Sequence, residues 1–146
     1  GQRTVPLHCA LQVTLRPSTQ PKRNQAVYRQ EGRGFIYLGG DWNKGKVVFY
    51  TAELGDFTFL TDSIAPVIAR IRLDRQSARL KIRDNLSGIA YYEANINGQW
   101  LLMIYDYKSG ILQSDKLDPK QPLLGDFELK VVDRAGNERI FKQKIQ

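Results

Sequence analysis

Leu80-Lys81-Ile82-Arg83-Asp84-Asn85-Leu86-Ser87-Gly88 decides how this chain is read. Leu80 and Ile82 alternate with Arg79, Lys81 and Arg83, the period-two pattern of a strand with one buried face. An Asp ends the run, and a Gly shortly afterwards supplies the permissive backbone of a turn. The same grammar recurs at Phe127-Glu128-Leu129-Lys130-Val131-Val132-Asp133-Arg134-Ala135-Gly136-Asn137. Asp84, Gly88, Asp133, Gly136 and Asn137 are therefore read as structural turn residues, each acid capping backbone N–H groups beyond it. Short strands punctuated in this way are the mark of a β-sandwich.

Working outward, residues 89–96 and 100–107 read as two strands joined by Asn97-Gly98, the strongest hairpin signal in the chain. Ser109-Gly110 turns the chain into a strand over 111–114, and 118–122 is a Pro-containing loop. Strands over 127–132 and 140–145 close the set. Toward the N-terminus, 9–15 alternates with Cys9, Leu11, Val13 and Leu15 inward, and 16–25 is a polar loop. Strands follow over 26–29 and 35–38, then a turn over 39–45, a returning strand over 46–51 and another over 57–60. No window of useful length keeps helical periodicity with caps, so little or no helix is expected. Thr61-Asp62-Ser63-Ile64-Ala65-Pro66 is the best internal boundary, because Pro66 holds Ala65 extended. The expected architecture is all-β: two immunoglobulin-like β-sandwich modules in tandem, 1–62 and 67–146, with a linker over 63–66. Gly55-Asp56-Phe57 and Gly125-Asp126-Phe127 hint at a loose repeat between them.

Bulk composition narrows the function classes. With 146 residues, 42% of them apolar and 25% charged, wholesale disorder is excluded. No run approaches the ~18–20 apolar residues of a helical membrane span. The net charge of +7 is spread over both halves: eight Lys and Arg against five Asp and Glu before Pro66, and fourteen against ten from there on. Such a surface favours anionic partners. The lone Cys9 permits no intrachain disulfide and is expected to be a buried thiol. The chain opens at Gly1 with neither Met nor a hydrophobic leader, as a processed protein or an excised piece would, so export is not readable from a signal.

Six segments in one order carry a resemblance: Glu53-Leu54-Gly55-Asp56-Phe57, 62–68, Asp84-Asn85-Leu86-Ser87-Gly88-Ile89, Ile96-Asn97-Gly98-Gln99-Trp100, Tyr105-Asp106-Tyr107 and Asp133-Arg134-Ala135-Gly136-Asn137. Together they resemble the C-terminal immunoglobulin-like accessory region behind the lysostaphin-type zinc metallopeptidase domain of Bacteroidetes cell-envelope proteins. The match covers roughly 50–146 well and the first fifty residues poorly. The resemblance implies a periplasmic, cell-surface or secreted location and a neighbouring catalytic domain in a longer chain. That peptidase family binds zinc through a His-x-x-x-Asp pair and a His-x-His pair. Here the single histidine is His8, Gln12 stands four residues on, and no His-x-His occurs. No zinc site carries over, and the expectation is a chain that is not an enzyme.

The residues themselves agree with that expectation. His8 and Cys9 are strand neighbours pointing to opposite faces, which spoils a Cys–His dyad. His8 is expected to be a partly buried strand residue. Asp106, Asp115 and Asp118 are candidates for an unrecognised carboxylate site, the alternative from the enzyme class. Asp62, Asp84, Asp133 and Asn137 offer oxygen ligands at strand ends, which leaves a calcium-rigidified spacer as a further alternative. Asx-turns explain the same residues without a cofactor. The ligand-binding candidates are Arg79, Lys81 and Arg83 on the outer face of their strand, facing an anionic cell-wall polymer or an envelope protein, or else a merely solvated edge or face. Trp100, Tyr105 and Tyr107 are the second set, in an aromatic hairpin that also holds Tyr91 and Tyr92, where cross-strand packing competes with a glycan- or protein-binding platform. The basic stretch lacks interleaved aromatics, so nucleic acid is not expected.

Overall fold

Alternation of this quality folds into strands alone. A computed structural model of the chain describes residues 5–146, so residues 1–4 of the first expected module lie outside the described residues. Among the described residues there are fourteen strands and no helix. One unit ends at Ser63 and the other begins at Ile64.

The first unit contains β1 (Val5–Leu15), β2 (Gln25–Glu31), β3 (Gly34–Gly39), β4 (Asp41–Asn43), β5 (Lys46–Leu54) and β6 (Phe57–Thr61). They form two antiparallel three-stranded sheets, in the orders β1-β5-β4 and β3-β2-β6. Val27, Val47 and Phe49 are the buried centre, with Val13, Leu15, Leu38, Trp42, Phe57 and Phe59 packed around them. Arg29, on β2, is buried inside the sandwich and forms an ion pair with Glu53 of β5 at 2.8 Å.

Three local expectations fail here. The stretch 39–45 is not one turn: Asp41–Asn43 is a short strand paired with β5, and the turn proper is Lys44-Gly45, with φ of 50° and 75°. Trp42 is a lid on the core, its ring 5.4 Å from that of Phe59. Cys9 is exposed, as is His8, because the ladder between β1 and β5 is interrupted between Pro6 and Leu11. The alternation from Cys9 to Leu15 is real, but only Val13 and Leu15 reach the core.

The second unit contains β7 (Val67–Leu73), β8 (Ala78–Arg83), β9 (Ile89–Ile96), β10 (Gln99–Leu101), β11 (Met103–Asp106), β12 (Ile111–Ser114), β13 (Gly125–Asp133) and β14 (Glu138–Ile145). Two four-stranded antiparallel sheets, β10-β9-β13-β14 and β11-β12-β8-β7, enclose a larger core. Leu80, Ile82, Leu112, Phe127, Leu129 and Val131 are at its centre.

The turn at Asn97-Gly98 forms with φ of 51° and 77°, the left-handed pair that a tight hairpin turn requires. Its return strand, however, is shorter than the sequence implies. Only Gln99–Leu101 pairs with β9; after Leu102 the chain crosses to the other sheet, where β11 pairs with β12. The rest of β9 pairs with β13. Leu101, Met103 and Tyr105 all pack on the core across this crossing. Alternation reports inward and outward, and that parity survives a change of sheet, so the sequence carried no sign of it. The shared Gly-Asp-Phe also fails as a repeat marker. Gly125-Asp126-Phe127 opens a central strand, whereas Phe57 opens a strand at the edge of its sheet.

Candidate functional site

The two turn signatures meet in space at one end of the second unit. Asp84 Oδ2 accepts hydrogen bonds from the backbone N–H groups of Leu86 (3.1 Å) and Gly88 (2.8 Å). Asp133 accepts from the Asn137 backbone N–H and from its side-chain amide, both at 2.8 Å. Gly88 and Gly136 take φ of 84° and 91°, which any side chain would resist. Arg134 N–H donates to the Gly88 carbonyl, and Ala135 N–H to the Ser87 hydroxyl. Asp133 is fully buried, whereas Asp84 is half-buried and keeps one oxygen, Oδ1, buried without a hydrogen-bond partner. The carboxylates come within 4.8 Å of each other. Their N–H donors compensate much of the cost of bringing two anions together.

Arg79, Lys81 and Arg83 lie on one face of β8, opposite Leu80 and Ile82. Alternate strand residues put neighbouring cations about 6.6 Å apart along the strand. β8 is an interior strand, flanked by β12 and β7, so these charges do not protect an edge. Ala69 stands opposite Lys81 on one side and Ile111 on the other, and Val67 stands opposite Arg83, whereas Arg79 lies between Arg72 and Gln113. Among the described residues, none of the three cations is in an ion pair. Elsewhere Arg72 pairs with Asp74, Lys130 with Glu138 at 2.7 Å and Lys142 with Glu128 at 2.6 Å. Asp106 shares the face but lies two strands from Lys81, a separation of about 9.6 Å. Its carboxyl is held below the usual range by the Ser109 hydroxyl and the Lys108 backbone N–H rather than by any cation.

The aromatic candidates separate. Tyr105 turns inward, its ring 5.7 Å from Tyr92 of the facing sheet, and burial pushes its hydroxyl up. Aromatic packing here is thus between sheets rather than across one hairpin. Tyr107 is exposed in the turn after β11, and Tyr91 is exposed on β9 with its hydroxyl donating to Glu93. That bond raises the Tyr91 pKa, and the Glu138 partner raises that of Lys130, so the outer face around them neutralises itself. Trp100 stands apart, 64% exposed on the edge strand β10. It lines a cleft of about 440 Å³ closed on the other side by the 115–124 segment. Trp100 and the three cations are on strands of opposite sheets, so the sequence-derived ligand set is two separate surfaces.

Of the acids named for a carboxylate site, Asp115 and Asp118 both line the cleft beside Trp100, while Asp106 and Asp115 line a second cleft with Arg79. Asp106 begins the tight turn before β12, with its oxygens bound to Lys108 N–H and the Ser109 hydroxyl. Asp118 caps Lys120 in the loop. Asp74, which sequence reasoning passed over, has its carboxyl lowered by Arg72 and by the N–H groups of Ser77 and Gln76. No described helix is long and apolar enough to cross a membrane.

No family model matches this chain, and no curated protein sequence matches it either. Among solved structures it is similar to the expansin of Clavibacter michiganensis. A point mutant of that protein in complex with cellohexaose aligns with TM-score 0.40 and 18% identity, over 73% of this chain and 48% of the expansin. The ligand-free expansin aligns with TM-score 0.39 and the same identity and coverage. This chain thus spans about half the length of the expansin it resembles.

Proposed function

We propose that this chain is a non-catalytic accessory module of a bacterial cell-envelope protein that holds an anionic envelope polymer against β8. The observation that carries this reading is the row Arg79, Lys81, Arg83: three cations on an interior strand with no ion-pair partner, Lys81 and Arg83 bordered by small and apolar side chains and Arg79 by Arg72 and Gln113. An unneutralised row of this kind concentrates the potential along one line, which suits an extended polyanion better than a small anion. The immunoglobulin-like part of the reading is supported by strand order. Labelled A to G, the second unit runs A-B-E-D against C′-C-F-G, the order of that sandwich. The non-catalytic part is supported by the histidine count. The single histidine has no second imidazole to form a zinc site with, and Cys9 beside it points to the opposite face of the strand. In this reading the catalytic partner, a peptidoglycan peptidase, is a different domain of a longer protein.

The test is sedimentation with isolated envelope polymer, with alginate as a soluble polyanion control. Binding should weaken as salt rises, since the Debye length contracts to roughly 8 Å at physiological ionic strength. With three contacts, the slope of log K against log salt should be around −2 to −3. Replacing all three residues by Ala should abolish binding without moving the melting temperature. Salt-independent binding that survives the triple substitution would sink the reading, as would peptidoglycan hydrolysis by the purified chain.

A further inference from the structure

The Trp100 cleft has no part in the polymer contact just described, and its chemistry is different. We infer that it is a binding site for an uncharged carbohydrate, with Trp100 as the stacking platform. The cleft is built rather than incidental. On one wall the Asn97 side chain accepts from Asp126 N–H at 2.8 Å and donates to the Leu124 carbonyl at 3.2 Å, fixing the β9–β10 turn against the start of β13. On the other, Lys116 Nζ donates to the carbonyls of Pro119 and Gln121, at 2.8 and 3.0 Å, folding the loop onto itself. Asp115 N–H donates to the Leu102 carbonyl, and Leu123 N–H to that of Arg75, anchoring both ends of the loop. A site held in this way loses little entropy when it binds.

Its lining selects the ligand class. Trp100 and Leu117 are 64% and 90% exposed, which leaves a large apolar area uncovered in this lining. Beside them stand Gln99, Gln121, Asp115 and Asp118. The only cation in the lining is Lys116, and its ammonium is engaged by two carbonyls, so the cleft is net acidic. An anionic ligand is therefore repelled, and a nucleic acid would find no counterion for its phosphates. A sugar ring meets both demands, with an apolar face for the indole and hydroxyls for amides and carboxylates. The volume of about 440 Å³ falls within the roughly 300–1,000 Å³ of small-molecule sites.

The experiment uses the whole chain carrying Trp42→Phe, so that Trp100 is the sole indole. Chitotetraose and cellotetraose are titrated and Trp100 emission is followed. A saturable shift with at least one of them is expected, unchanged between about 50 and 500 mM salt because no ionic contact is made. In a parallel calorimetric titration Trp100→Ala should weaken binding about tenfold or more, with Trp100→Phe keeping part of it. The Arg79/Lys81/Arg83 triple substitution should leave sugar binding intact, which separates this site from the polymer surface. Trp100 is exposed enough that its loss should leave the melting temperature in place, and a fall of several degrees would disqualify that variant in favour of Gln99→Ala. Absence of a saturable shift with either sugar at millimolar concentration overturns the inference. So does a shift that salt abolishes, or tighter binding of an extended apolar peptide than of either sugar.

Discussion

The two units are both antiparallel double-layer structures, yet they are stabilised to different degrees. The second encloses eleven buried apolar side chains in one cluster. The first encloses three, with a ring of half-covered neighbours. Both units bury atoms that lack partners: Arg29 Nη1 and the Trp42 indole N–H in the first, Asp84 Oδ1 in the second. Each such group costs roughly 1–3 kcal/mol relative to a satisfied one. Strand pattern alone does not tell these units apart, because both alternate. What separates them is how many inward positions are covered by a second layer, since burial rather than alternation removes apolar surface from water.

That contrast is broken most directly by melting. The full chain should unfold in two steps, the first unit at the lower temperature. Phe127→Ala should lower only the upper step, by about 3–5 kcal/mol, because it opens a cavity in a core with little room to collapse. Phe49→Ala should lower only the lower step, by a smaller amount, since the thinner core is easier to close over. A single cooperative transition in calorimetry, shifted alike by both substitutions, would erase the distinction.

Next come the turns. Asp133→Ala removes a buried carboxylate that accepts two 2.8 Å hydrogen bonds from Asn137, and should cost the upper step about 2 kcal/mol. Asp84→Ala removes two backbone bonds but also an oxygen that has no partner, so its cost should be nearer 1 kcal/mol. Equal melting of both variants and the parent would show that the capping bonds contribute nothing.

The smallest effect is a titration. The Ser109 hydroxyl is the main cause of the lowered Asp106 carboxyl. A carboxyl lowered on folding adds stability above its unfolded pKa, and that increment is lost as pH falls through the folded value. Ser109→Ala should raise the Asp106 pKa toward the ordinary carboxylate range, followed by NMR of its side-chain carbon, and so shift this loss to slightly higher pH. An unchanged titration would mean that the Lys108 N–H holds the carboxylate by itself.

Much of the fold was legible before any coordinates. The all-β class and the Asn97-Gly98 turn follow from local chemistry: side-chain period and positive-φ residues. Two kinds of feature were not legible. Cys9 looked buried because it sits in phase with Val13 and Leu15, but phase says nothing about whether a strand outruns the layer that covers it. Closeness in sequence does not make the ligand candidates neighbours in space. The crossing at Leu102 sends Trp100 and Tyr105 to different sheets.

By itself, then, the sequence determined which residues alternate, where the chain turns, and which cations point outward on β8, because these depend on backbone geometry within a few residues. Only the tertiary structure decided that β8 is interior, that the Asp84 and Asp133 turns share hydrogen bonds, and that the 115–124 loop stands across from Trp100 to form a cleft. Each of these depends on which strands lie side by side. That order is set by the summed burial of many inward side chains, so no short stretch of sequence encodes it.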